Sequence, residues 1–197
     1  MTTSLGDMFQ VTSDKPGLIV DLGNDLSLVT PLNMYAVTKV INFCYGHRLL
    51  NYRGKCRFLH GHNGRVEIEL SSERLDQRGM VRDFGEIKQV VQTWIDRALD
   101  HKMLLCRKDP VLPLLRKFDE PLFVMEANPT AEAIAQLIFE YTASQGFPVT
   151  AVRLWETDSS VATYRGAATR AGRRGTRVLP SAARRARRAV RSSSTAA

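Results

Sequence analysis

Residues 56–62, CRFLHGH, bring one of the chain's three cysteines and two of its four histidines into seven positions. Histidines two apart in a strand leave the same face, about 7 Å from one another. That spacing suits a shared metal ion. Gly61 between them removes a side chain from the opposite face and permits close backbone approach there. His47 ends the preceding run of strand-forming residues, and a turn-bearing connection can return it beside His60. Three imidazoles make an open zinc site, with the fourth position left for water or substrate. The residues alone leave three readings open: this catalytic metal, a structural zinc with Cys56 as fourth ligand, and polar residues at a strand mouth that hold no metal. Cys56 lies between Lys55 and Arg57, whose charges favour a thiolate, so it is also a candidate base or nucleophile. Cys44 and Cys106 have no such neighbours and read as a small strand hydrophobe and a loop residue.

Asp100 and His101 follow a helical pattern directly. A protonated imidazole is favoured at a helix C-terminus, and an adjacent carboxylate orients it; capping and catalysis both fit. Glu156 follows the apolar VRLW at an otherwise core-like position, where an anion requires a cationic or amide-bearing partner.

The elements that position these groups follow from periodicity. Residues 34–45, MYAVTKVINFCY, are β-branched and aromatic and read as a strand. In HGHNGRVEIEL, residues 60–70, the apolar Val66, Ile68 and Leu70 alternate with Arg65, Glu67 and Glu69; His60 and His62 share the apolar parity. RGMVRDF reads as a third short strand. Residues 86–99 carry Ile87, Val90, Val91, Trp94, Ile95, Ala98 and Leu99 on one helical stripe, with Asp83 as N-cap and Glu86 as its capping-box partner. Residues 128–146 form a second helix that Gly146 stops. VTAVRLWET and SSVATY close the fold as strand, and the proline-punctuated 106–121 is a loop with room for one helical turn. The predicted architecture is α+β, a four-stranded antiparallel sheet with two helices packed on one face. Its unpaired edges invite oligomerisation.

Three regions follow: an irregular leader over 1–33, a folded domain over 34–164 and an arginine-rich tail over 165–197. The tail holds ten arginines and no acid, so the remainder has 18 basic against 20 acidic residues and is slightly acidic despite the overall +8. Having few large apolar residues, the tail reads as disordered. Contact with nucleic acid through counterion release is its alternative role, although no recognition motif accompanies it. No apolar run is long enough to span a bilayer, and three cysteines make no disulfide framework. A soluble protein of a reducing cytoplasm is expected.

Six stretches in order, FCYGHRL (43–49), KCRFLHGHN (55–63), GMVRDFGEIK (79–88), LDHKML (99–104), NPTAE (128–132) and WETDSSVATY (155–164), resemble the 6-pyruvoyl- and 6-carboxy-tetrahydropterin synthase family. The resemblance implies a T-fold whose members form trimeric barrels, stacked as a hexamer, with active sites between subunits. It implies His47, His60 and His62 as zinc ligands, Cys56 as general base, and Asp100 with His101 as acid/base partners reaching in from a neighbouring subunit. Glu156 matches the glutamate that grips the pterin ring, and Thr130 with Glu132 a motif that assists pterin binding. The implied substrate is 7,8-dihydroneopterin triphosphate. Three residues between Cys56 and His60 match the carboxy branch, which feeds 7-deazaguanine (queuosine) synthesis; the pyruvoyl branch and an aldol cleavage are the alternatives. The chain departs from the family where Gly64 replaces the usual aromatic and where FCYGH stands for a small-residue FSAAH, departures that bear on the shape of the pocket.

Overall fold

A computed structural model of the chain describes residues 18–21, 26–29 and 34–166. In the first two stretches β1 (Leu18–Asp21) and β2 (Leu26–Val29) pair antiparallel, with Leu18 opposite Val29, and belong to a unit of their own. The expected irregular leader otherwise lies outside the described residues, as does the arginine-rich tail beyond Gly166.

The second unit is organised by one long hairpin. β3 (Tyr35–His47) and β4 (His60–Ser72) pair antiparallel over their full length, from Tyr35 opposite Ser72 to His47 opposite His60. Alternation sets which face is buried: Ile41, Phe43 and Tyr45 on β3 point the same way as Val66, Ile68 and Leu70 on β4, and all six are buried. β7 (Val149–Thr157) lies antiparallel on the far edge of β4, and β8 (Ser160–Tyr164) folds back antiparallel on β7.

Two helical segments cover the buried face. α1 (Phe84–Ile87) runs through a π-helical turn, Lys88–Gln92, into α2 (Thr93–Ala98). Ile87, Val91, Ile95 and Leu99, four apart, form its fully buried stripe. Asp83 caps the start by accepting from the Gly85 amide; Glu86 pairs instead with Arg82. α4 (Ala131–Ser144) begins at Thr130, whose hydroxyl accepts from the Ala133 amide, and is followed by Gly146 at φ +85°. The Trp94 and Tyr141 rings stack at 4.0 Å and join α2 to α4. Ile134 and Ile138 of α4 and the α1/α2 stripe enter one core with Val66, Ile68, Leu70, Val152 and Leu154 of the sheet.

The sheet departs from the expected four strands. It has six, ordered β6-β5-β3-β4-β7-β8, because β5 (Lys102–Cys106) joins β3 in parallel and β6 (Leu122–Met125) joins β5 in parallel. KMLLC and LFVM are short and do not alternate, so periodicity does not mark them; Cys106 is accordingly a buried strand end, not a loop residue. The expected strand in RGMVRDF does not form. Asp76 accepts from the Arg78 and Met80 amides and Gly79 sits at φ +79°, which turns the chain sharply there. In the loop over 106–121, α3 (Leu112–Lys117) is the one helical turn for which the sequence leaves room. Among the described residues no helix is long and apolar enough to cross a membrane.

Candidate metal centre and substrate cleft

The hairpin register places His47 opposite His60 and Tyr45 opposite His62 at the mouth of the sheet. Gly61 takes part directly: a Cβ there would lie 2.8 Å from the Tyr45 carbonyl oxygen, so only a bare backbone lets the strands close beside the histidines. One ring nitrogen from each of His47, His60 and His62 lies within 4.8 Å of the others. His47 is 3% exposed, while His60 and His62 are half-buried, so the cluster has a closed floor and an open side.

The ring tautomers follow from the partners. His47 Nδ1 lies 2.7 Å from the Pro129 carbonyl oxygen and His60 Nδ1 lies 2.8 Å from that of Phe58. Carbonyls only accept, so both Nδ1 atoms carry the proton and, in neutral rings, both Nε2 atoms carry lone pairs. Those two Nε2 atoms face each other at 3.0 Å. Burial, aided by the nearby His60 and His62, outweighs the Pro129 bond and the Glu156 charge and holds His47 below the ordinary imidazole value. Two opposed lone pairs repel unless an electrophile accepts both. A divalent cation satisfies this donor set, and the Nδ1–H···O=C bonds are the usual outer support of a metal-bound histidine.

The structure brings the three imidazoles together but leaves Cys56 outside their set of donor atoms. Cys56 sits in a 3-10 turn (Lys55–Arg57), half-buried, with its carbonyl accepting from the Leu49 amide at 2.8 Å. Asp100 and His101 lie where β5 begins beside β3. Asp100 Oδ1 accepts from the Cys44 amide at 2.8 Å, and the His101 amide donates to the Cys44 carbonyl at 2.7 Å. Asp100 Oδ2 accepts from His101 Nδ1 at 2.7 Å. Burial pushes the Asp100 carboxyl upward, but the Cys44 amide and His101 outweigh it and hold it below the usual carboxylate range. The His101 ring is 79% exposed and borders a cleft of about 540 Å³ whose wall also includes Cys44, His60, His62 and Asn63. Among the described residues no hydrogen bond joins Cys56 to Asp100 or His101. Cys44, expected as a plain strand hydrophobe, donates its thiol to Asn63 Oδ1 at 3.0 Å.

Glu156 reaches the histidine cluster, with Oε1 3.8 Å from His47 Nε2. Its hydrogen-bond partner is the Tyr45 hydroxyl, which donates to Oε1 at 2.9 Å, where the sequence pointed to a cation or an amide. Burial foremost, then the Glu156 charge and this bond, push the Tyr45 hydroxyl far above the ordinary phenol value, so the donor stays protonated. Thr130 and Glu132 stand at the start of α4, Thr130 as its cap. In the same NPT stretch, Asn128 and Pro129 serve the site instead. Asn128 accepts from the Leu50 amide at 2.8 Å and donates to the Leu50 carbonyl at 2.9 Å, while the Pro129 carbonyl accepts from His47 Nδ1. Tyr45 shares the parity of His47 on β3, which was the available signal for it. Nothing local marks Asn128.

Residues 36–167 match the family model described as 6-pyruvoyl tetrahydropterin synthase. The chain is 37% identical over 131 residues to the 6-carboxy-5,6,7,8-tetrahydropterin synthase of Rickettsia conorii, covering 63% of this chain and 95% of that one. It is 30% identical over 139 residues to the protein of that name from Haemophilus influenzae, covering 66% and 99%. Among solved structures, an uncharacterized protein from Wolinella succinogenes superposes with a TM-score of 0.58 at 27% identity, covering 68% of this chain and 99% of that one. The 6-pyruvoyl tetrahydropterin synthase of Caenorhabditis elegans gives 0.52 at 22% identity, covering 71% and 100%. The α+β architecture is therefore the T-fold of these structures.

Proposed function

Because the chain belongs to the 6-pyruvoyl tetrahydropterin synthase family, we propose that it is a zinc enzyme of the carboxy branch, converting 7,8-dihydroneopterin triphosphate to 6-carboxy-5,6,7,8-tetrahydropterin for 7-deazaguanine (queuosine) synthesis. The observation that carries this reading is the pair of Nε2 atoms facing at 3.0 Å, each ring's Nδ1 being taken by a carbonyl, with His62 beside them. His47, His60 and His62 would hold the ion. When bound, zinc supplies Lewis acidity toward the substrate's side-chain oxygens. The carboxy branch is favoured by the three-residue spacing of Cys56 from His60 and by the names of the relatives at 37% and 30% identity. The working domain spans residues 34–164, and three free thiols, Cys44, Cys56 and Cys106, suit a reducing cytoplasm.

The remaining roles belong to this chain's own side chains. Glu156 accepts the paired N–H donors of the pterin's amino-pyrimidinone edge. Thr130 and Glu132, at the start of α4, assist that binding. Cys56, as thiolate, removes a proton from the substrate side chain. His101 Nδ1–H donates its hydrogen bond to the Asp100 carboxylate, so Nε2 is the atom that takes up and returns a proton. Since Cys56 and His101 are not joined within one chain and the His101 ring is exposed, the acid/base pair acts on a neighbouring subunit's thiol, in a homo-oligomer built as a dimer of trimers.

Zinc content and product masses from 7,8-dihydroneopterin triphosphate test the reading. Wild type releases triphosphate and acetaldehyde and leaves the 6-carboxylate, Cys56→Ala loses at least about 100-fold in turnover, and His60→Ala loses most of its zinc yet keeps its melting transition. A pyruvoyl product moves the chain to the other branch. An active Cys56→Ala removes the thiol from the mechanism.

A further inference from the structure

Tyr45 is 3% exposed and seated among catalytic candidates, yet the chemistry above assigns it nothing. Its ring stands edge-on to His47 at 5.4 Å and tilted to His62 at 5.9 Å. Its hydroxyl reaches Glu156 Oε1 at 2.9 Å and, among the described residues, is that carboxylate's one hydrogen-bond donor. The ring reaches this far because Gly64 has no side chain. A Cβ on Gly64 would meet Tyr45 Cε1 at 2.9 Å, with Leu154 Cδ1 and Phe43 Cε1 at 3.5 Å. Phe43, which pairs with Gly64 across the strands, stacks on the Tyr45 ring at 5.2 Å, so Tyr45 packs against an aromatic neighbour and bare backbone.

We propose that Tyr45 is a specificity-determining positioning residue, with Gly64 as its seat: its hydroxyl locks the Glu156 carboxylate so that the remaining acceptor sites meet the paired N–H donors of a 2-amino-4-oxopyrimidine edge. The proposal rests on the pterin reading and deepens it. A carboxylate offers about four lone-pair sites; Tyr45 occupies one and leaves enough for two parallel donors. A carboxylate free to rotate binds such an edge less well and rejects an oxo analogue less strictly, because it can turn away from an opposing oxygen. A locked one leaves half-buried acceptors facing an acceptor, the arrangement by which polar sites discriminate.

The test compares neopterin with a 6-substituted lumazine, which carries an oxygen in place of the 2-amino group, by fluorescence titration of the full chain, alongside steady-state kinetics and thermal melts. In Tyr45→Phe the ring stays seated and only the hydroxyl is lost. Neopterin affinity is expected to fall about tenfold, with lumazine affinity changing less than about twofold and KM rising while kcat stays within about threefold. Gly64→Ala, which displaces the ring, should show the same selective loss. Unchanged neopterin affinity in Tyr45→Phe, or equal losses for both ligands, overturns the positioning role and leaves the pterin reading intact. A wild-type chain that binds no neopterin overturns both. A lowered melting temperature without selective loss assigns Tyr45 to packing alone and rejects the proposal.

Discussion

At the scale of single residues, the site divides between groups that spacing reveals and groups that only folding assembles. The His-x-His pair and its parity with Val66, Ile68 and Leu70 are visible in sequence, because period-2 alternation places them without knowledge of the rest of the chain. Parity also puts Tyr45 on the face of His47, but its partner Glu156 lies 111 residues away, and Asn128, whose partner Leu50 lies 78 residues away, has no local mark at all. Asn128 nevertheless holds the segment whose Pro129 carbonyl sets the His47 tautomer. Asn128→Ala removes both bonds to Leu50 and strands two partly buried backbone groups. A loss of about 1–3 kcal/mol in urea unfolding is expected, with zinc affinity down at least about tenfold in chelator competition. Unaltered zinc affinity would show that the carbonyl stays in place without its clamp.

At the scale of elements, long amphipathic segments declare themselves, whereas the short strands β5 and β6 do not. β3, β4 and β7 are each nine residues or longer, and the α1/α2 stripe repeats every four residues, so their patterns emerge from sequence. β5 and β6 have five and four residues; β5 exists because β3 offers it an edge and β6 because β5 does, which is a tertiary cause. The stripe also predicts where substitution hurts. Ile95→Ala, at a fully buried position, should cost about 2–5 kcal/mol. Phe84→Ala, half-exposed at the start of α1, should stay within about 1 kcal/mol in the same unfolding measurement. Equal losses would mean that α1 and α2 do not share the packing described.

At the scale of the whole molecule, the described domain is held by one core, and the loop carrying α3 is tied to the end of β3 by an ion pair. Arg48, directly after His47, donates its Nε to Asp109 Oδ2 at 2.7 Å and a second N–H to Oδ1, and Asp109 also accepts from the Val111 amide. Burial raises the Asp109 carboxyl, but the Arg48 and Val111 bonds and the Arg48 charge outweigh it and hold it below its ordinary value. The stability from this depressed group is full above the unfolded value of about 3.9 and is lost as pH falls through the lower folded value. Asp109→Asn should therefore unfold more easily at pH 7, by on the order of 2 kcal/mol, with the deficit closing below about pH 4. A deficit that persists in acid would assign the loss to shape instead of charge. Tyr45 and Gly64 also tie two positions on neighbouring strands to a single ring's volume, so they cannot drift independently in descent. A lineage gaining a bulky residue at 64 must first surrender the ring at 45, because water from the open mouth can fill a vacated seat, whereas two bulky occupants have nowhere to go.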